Sequence, residues 1–136
     1  MQLNAYLLLN GQCEAAFRFY ARCLGGEIDA MMTYADSPAA QHVSADWGKK
    51  IIHAQLRVGD QVLMGSDPPP DRAEGSPRGF AVSVQTADVS EAERIFRALS
   101  EGGQVTMPLE KTFFSPKFGM LEDRFGVRWM VNVTPA

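Results

Sequence analysis

The 136-residue chain has little of what most catalytic or membrane proteins display: two cysteines, two histidines and no Lys/Arg run. The cysteines, Cys13 and Cys23, stand at opposite ends of one predicted helix. A helix rises about 1.5 Å per residue, which puts them roughly 15 Å apart, too far for a disulfide. Both are read as free thiols in a reducing compartment, the cytoplasm. Neither has a histidine near it in sequence, so each is read as a half-buried small hydrophobe rather than a nucleophile. No apolar run approaches the roughly 18–20 residues of a spanning helix. The opening MQLNAYLLLNGQ lacks the positive region and small-residue cleavage site of a signal peptide. A net charge of −3 without a basic patch argues against nucleic acid or an anionic membrane as partner.

What the chain does have is an internal repeat. Residues 10–26 read NGQCEAAFRFYARCLGG and residues 87–103 read ADVSEAERIFRALSEGG. Each copy has a polar turn, a Glu-Ala, an aromatic on a helical stripe and a Gly-Gly stop. Gly25-Gly26 and Gly102-Gly103 lie 77 positions apart, too far for a solenoid, whose periods run roughly 20–50 residues. Two similar modules are expected, with a groove between their paired sheets.

The first module reads as a strand over 5–9, a turn at Asn10-Gly11 and a helix over 13–24. On that helix Ala16, Phe17, Tyr20, Cys23 and Leu24 share a face opposite Arg18 and Arg22. Strands follow over 27–34, 51–58 and 61–66, the last two joined across Gly59-Asp60. Residues 35–50 read as a loop, either a lid or partner contact or a tolerated surface insertion. Residues 68–78 are rich in proline, glycine and charge and form the linker. The second module gives a strand over 80–85, then a helix with a Ser90–Glu93 capping box and Val89, Ala92, Ile95, Phe96 and Leu99 on one face. Strands near 104–111, 116–121 and 127–133 complete it, with a turn at 123–126. The chain is therefore expected to be one domain over 1–136, built from βαβββ modules at 1–67 and 79–136.

Alternation on 51–57 puts Ile51, His53, Gln55 and Arg57 on one face and Ile52, Ala54 and Leu56 on the other. The second set is the better partner for a helix, so His53 and Gln55 are expected to face away from it. His53 is the candidate for ligand contact or proton transfer, because imidazole titrates near neutral pH; a histidine that only holds a loop is the competing reading. His42 reads as solvated surface. Trp47, Phe113 and Phe114 fall in irregular segments, where a pocket rim or dimer contact competes with core; Phe118 and Trp129 lie near strand ends. Lys117 and Arg128 are candidates to attract an anionic substrate, against the commoner solvated charge.

The ordered motifs Tyr6-Leu7-Leu8-Leu9-Asn10-Gly11, Glu14-Ala15-Ala16-Phe17-Arg18-Phe19-Tyr20, Leu24-Gly25-Gly26, His53-Ala54, Gly59-Asp60, Leu63-Met64-Gly65-Ser66-Asp67, Phe118-Gly119 and Asp123-Arg124-Phe125-Gly126-Val127-Arg128-Trp129 resemble the PhnB-like proteins. These belong to the vicinal-oxygen-chelate superfamily of glyoxalases, bleomycin-resistance proteins and extradiol dioxygenases. The resemblance covers nearly the whole chain. It implies an α+β fold in which two βαβββ modules build a curved mixed sheet around a cavity, commonly in a homodimer.

The resemblance also implies where a divalent ion would be held: His, Gln or Glu on the first and last strands of each module. Those positions fall here near Ala5, Met64, Gly79 or Phe80, and Met130, none of which is an acid or a histidine. A metal cofactor is therefore not expected. The expected ligand-binding set is Tyr6, His53, Gln55, Met64, Phe80, Phe114, Phe118, Trp129 and Met130, around a small organic molecule. Some relatives carry the name of a ubiquinone-pathway methyltransferase; this sequence has no glycine-rich cofactor loop to support methyl transfer. The alternatives are a metal-dependent lyase, isomerase or dioxygenase using His53, and a drug-sequestering resistance protein.

Overall fold

Each of the two modules folds as βαβββ. The computed structural model describes residues 1–72, 75 and 77–135, in two compact units, Met1–Ser76 and Pro77–Ala136. The first unit contains β1 (Tyr6–Leu8), α1 (Cys13–Leu24), β2 (Glu27–Thr33), β3 (Ile51–Val58) and β4 (Gln61–Ser66). Its four strands form one sheet in the order β1-β4-β3-β2, with β1 parallel to β4 and the remaining pairs antiparallel. The second unit contains β5 (Val82–Thr86), α2 (Val89–Ser100), β6 (Gln104–Glu110), β7 (Lys117–Glu122) and β8 (Arg128–Val133). Its sheet runs β5-β8-β7-β6, again with a single parallel pair at β5 and β8. The α+β expectation is met in both halves. No helix among the described residues is long and apolar enough to cross a membrane.

Each helix lies on one face of its own sheet. Helix α1 buries Cys13, Ala16, Phe17, Phe19, Tyr20 and Cys23 against Leu7, Ala54 and Leu56 of the strands. Full burial of a side chain such as Phe17 stabilises the fold by about 1.5–3 kcal/mol. Helix α2 buries Ala92, Ile95, Phe96 and Leu99 above Leu121, Trp129 and Val131; Val89, expected on that stripe, is exposed in the first turn.

The Gly-Gly stops have a two-part cause that recurs in both units. Gly25 and Gly102 take left-handed backbone at φ 70° and 76°, a conformation that costs glycine nothing. Gly26 and Gly103 then pass so close to a strand that a Cβ would strike the carbonyl oxygen of Arg57 or of Glu122.

Several expectations are corrected. The cap of α2 is Asp88, whose side chain accepts from the Glu91 amide at 3.2 Å; Ser90 lies inside the helix, so no Ser90–Glu93 box forms. Residues 35–50 are not plain loop but carry two short 3-10 helices, Pro38–His42 and Ala45–Lys49. Ile51 is buried despite its shared parity with His53, because pairing is irregular between Met32 and Thr33 where β3 begins. Strand β5 starts at Val82, so Phe80 precedes it. Part of the expected linker, at residues 73, 74 and 76, lies outside the described residues.

Candidate functional site

The face of each sheet opposite its helix is the open one, and strand register decides what stands there. In the first unit, Ala54 and Leu56 are buried on the helix side, so His53, Gln55 and Arg57 project from the other face, as alternation predicts. Tyr6 pairs with Met64, Met64 with Gln55, and Gln55 with Ala30, which makes one row across the whole sheet. In the next row His53 pairs with Met32. Tyr6 is 42% and Met32 48% exposed.

Polar atoms on this face are arranged in two groups. The Tyr6 hydroxyl lies 3.1 Å from His53 Nδ1, with the rings stacked at 29° and centroids 5.8 Å apart. Beside them Arg57 donates to Asp29 at 2.7 Å and Gln55 donates to the other oxygen of the same carboxylate at 3.0 Å. The Arg57 charge is thereby neutralised on the sheet.

In the second unit, Gly119 and Leu121 face α2, so Phe118, Met120 and Glu122 face away. Met107 pairs with Met120, Met120 with Met130, and Met130 with Ser83. Three thioethers thus stand in one register row. Beside that row Asn132 donates to Gln85 at 3.0 Å, and Gln85 donates to Ser83 Oγ at 3.3 Å. Asn132 Oδ1 is buried and has no hydrogen-bond partner among the described residues. Phe114 and Phe113 sit in the loop before β7, and Phe114 packs edge-on against Phe118 with centroids 5.1 Å apart.

The structure brings Tyr6, His53, Gln55 and Met64 together on the first open face. Phe118 and Met130 join the second, and Phe114 flanks it. Trp129 does not belong with them. It is 1% exposed on the helix side of β8, and its indole donates to the buried Asp123 carboxylate at 2.9 Å. Its neighbour Met130 takes the open face because successive strand residues alternate. Phe80 lies outside the strand and exposed. Lys117 pairs with Glu93 of α2 at 3.6 Å, which places it on the helix side, and Arg128 pairs with Glu122 at 3.8 Å. Neither is an unshared charge for an anion. Trp47 holds the 3-10 segment to the sheet, its indole reaching the Asp67 carbonyl at 3.4 Å. Sequence reading passed over Met32, Ser83, Met107, Met120 and Asn132. A parity count fails for Met32 and Met107, because pairing is irregular between Ile28 and Ala30 on β2 and between Val105 and Met107 on β6, and only the register shows which residues share a row.

Within each unit the register pairs one first-strand residue with one last-strand residue. Tyr6 opposes Met64 and Ser83 opposes Met130, so the first-strand members are Tyr6 and Ser83, not Ala5 and Gly79 or Phe80. A phenol, a hydroxyl and two thioethers do not fit a hard divalent ion, which takes carboxylate, imidazole or carbonyl ligands. Among the described residues no group of three or more His, Cys, Asp or Glu side chains is placed to hold a metal ion.

Neither cysteine offers a nucleophile. Both are buried and neither forms a disulfide, and burial, followed by the nearby Asp67 and Glu14 carboxylates, drives the Cys13 thiol far above its ordinary range. A thiol that stays protonated is inert. Tyr34 is likewise pushed up, by burial first and then by Asp67 and Tyr6, against an opposing pull from Arg72; its hydroxyl is committed to the Asp67 carbonyl at 2.8 Å.

Known proteins share this fold. The family described as the Glyoxalase/Bleomycin resistance protein/Dioxygenase superfamily matches residues 2–131. Protein YjdN of Escherichia coli K12 is 32% identical over 98% of this chain and 95% of its own length. The crystal structure of protein PA1353 from Pseudomonas aeruginosa matches with a TM-score of 0.91 and 46% identity, over 100% of this chain and 99% of the other. The PhnB protein from Bacillus cereus matches with a TM-score of 0.80 and 25% identity, over 98% of this chain and 100% of the other. Repeat, register and likeness agree that this chain belongs to the glyoxalase/bleomycin-resistance/dioxygenase superfamily, as a PhnB-like member.

Proposed function

We propose that this protein binds a small organic molecule against the open faces of its sheets, without a resident metal ion, in the reducing cytoplasm. The observation that carries the reading is the residue set at the paired first- and last-strand positions: Tyr6 with Met64, and Ser83 with Met130. Thioethers and aromatic rings offer soft, polarizable surface that moulds to an apolar ligand, while the nearby amides and hydroxyls supply a few directional contacts. The unpartnered Asn132 Oδ1 supports this, since a buried acceptor without a donor is costly and a ligand N–H or O–H relieves it. The Bacillus cereus neighbour bears the name "Putative 3-demethylubiquinone-9 3-methyltransferase"; this sequence has no glycine-rich loop to support methyl transfer.

Native mass spectrometry of protein purified without chelator or added metal tests the reading. A co-purified organic mass, with elemental analysis showing less than stoichiometric metal, is expected. Stoichiometric Zn, Ni, Mn or Fe, with binding lost on stripping, would overturn it.

A homodimer is part of the same proposal. Val105, Met107, Phe113 and Phe114 are large apolar side chains left exposed in the second unit, and β6 is a sheet edge. A stable dimer would cover more than about 1,000 Å² in total. Sedimentation at micromolar concentration is expected to give about twice the 14.9 kDa chain mass; a monomer would remove this part of the proposal.

A further inference from the structure

We propose that His53 is the polar anchor of the first sheet's open face. Held in its Nε2–H form by the Tyr6 hydroxyl, it donates one hydrogen bond to the carbonyl oxygen of an uncharged ligand. This deepens the small-molecule reading above and rests on it.

The contact between Tyr6 Oη and His53 Nδ1, at 3.1 Å, needs one proton between the two atoms. A phenol O–H is a good donor, whereas its oxygen is a poor acceptor because its lone pair is drawn into the ring. The tyrosine therefore donates, and Nδ1 of the neutral imidazole accepts. The ring proton then sits on Nε2, since the bond at one nitrogen selects which nitrogen is protonated. The stacking of the two rings at 29° restrains imidazole rotation, so the donor has a fixed direction. Among the described residues His53 Nε2 has no partner of its own.

The surroundings narrow the ligand. Met32 pairs with His53 across the strands, and Tyr6 pairs with Met64 in the adjoining row. A single N–H beside thioethers and a phenol ring suits an apolar body that bears an acceptor oxygen. Arg57 is held by Asp29 at 2.7 Å, which leaves no unshared cation on this face among the described residues for a carboxylate. Gln55 Nε2 is held by the same Asp29. The ligand class is therefore an uncharged ketone, quinone, ester or amide rather than an acid.

The test uses full-length protein carrying ¹⁵N-histidine, with acetophenone and ethylbenzene as probes of matched shape, one with a carbonyl and one without. Imidazole ¹⁵N shifts are expected to show His53 as the Nε2–H tautomer, with exposed His42 as reference. Tyr6→Phe is expected to give a mixture of tautomers. Acetophenone is expected to move the Nε2 signal and to bind roughly two- to tenfold more tightly than ethylbenzene, the worth of one hydrogen bond. His53→Ala should erase that preference while ethylbenzene binding persists, which also shows that the variant is folded; His53→Gln should restore part of it. A His53 found as Nδ1–H, or a preference that survives His53→Ala, overturns the anchor and leaves the binding face standing. If neither probe perturbs the Met32 and Met64 methyl signals, the binding-face reading fails, and the anchor with it.

Discussion

The carboxylate of Asp67, just past the end of β4, accepts the backbone N–H of Cys13 at 3.0 Å and so caps α1 from 54 residues away. Gln12 precedes the helix but makes no side-chain cap. The same oxygen takes the Gly11 amide at 2.8 Å, and the second oxygen takes the Ile51 amide at 3.1 Å. Asp67 thus ties a helix start, a turn and the start of β3 to one buried group. Replacing it by Ala strips the acceptor from three backbone donors, and an unsatisfied buried donor costs about 1–3 kcal/mol. Asp67→Ala is expected to lose at least about 3 kcal/mol in urea unfolding. A loss under about 1 kcal/mol would show that water replaces the carboxylate.

Asp123 has the corresponding task in the second unit. Its Oδ1 takes the amides of Phe125 at 2.8 Å and Val127 at 3.0 Å, and its Oδ2 takes the Trp129 indole. Trp129→Phe removes both that donor and core volume, and is expected to cost about 2–4 kcal/mol. Because Trp129 faces α2 and not the open face, the folded fraction should bind acetophenone as the native chain does. A selective loss of binding at unchanged stability would return Trp129 to the ligand site.

The buried Cys13 thiol makes stability depend on alkaline pH. Burial and the Asp67 carboxylate raise it above the ordinary 9.0, so the folded thiol stays protonated where the unfolded thiol ionises. The stabilising contribution is complete below pH 9 and is lost as pH rises beyond it. Tyr34, raised from 10.0, adds a second loss at higher pH. Urea midpoints between pH 8 and 10.5 are expected to fall for the native chain. They should fall less steeply for Cys13→Ala, which loses the thiol's share and keeps that of Tyr34. Identical slopes would mean that the thiol ionises equally in both states. Native protein at pH 8 should also resist a thiol reagent until it unfolds.

Two glycines bring strands and aromatics into contact. A Cβ on Gly65 would come within 2.7 Å of Phe17 Cε1 and 2.9 Å of the Leu7 carbonyl, and one on Gly119 within 2.7 Å of Phe96 Cε2. Phe17 is wholly buried and has nowhere to yield. Gly65→Ala and Gly119→Ala are each expected to cost about 1–3 kcal/mol, the usual penalty for overpacking, read as a lower thermal midpoint. Gly75→Ala tests backbone strain without crowding, since nothing lies near its Cβ position and its φ is 84°.

Local chemistry in the chain determined a good deal by itself. The two-module βαβββ order is legible because each helix writes its own stripe and stop, and each strand its own alternation. Gly25 and Gly102 announce helix ends through a backbone freedom that needs no partner. His53 and Gln55 could be set on the face away from the helix because Ala54 and Leu56, which alternate with them, are apolar.

Only the tertiary structure decided which side chains meet. The Tyr6–His53 hydrogen bond spans 47 positions and depends on β1 entering beside β4 in parallel, a register that no local pattern encodes. Trp129 was misplaced because an aromatic at a strand end looks alike on either face until the buried carboxylate beneath it is seen. Ser90 lost the cap to Asp88 because capping is settled by where the chain turns, and β5 ends at Thr86. A strand's alternation is a property of its own residues; its neighbours, and therefore the chemistry of the site, are fixed by hydrogen bonds to strands distant in sequence.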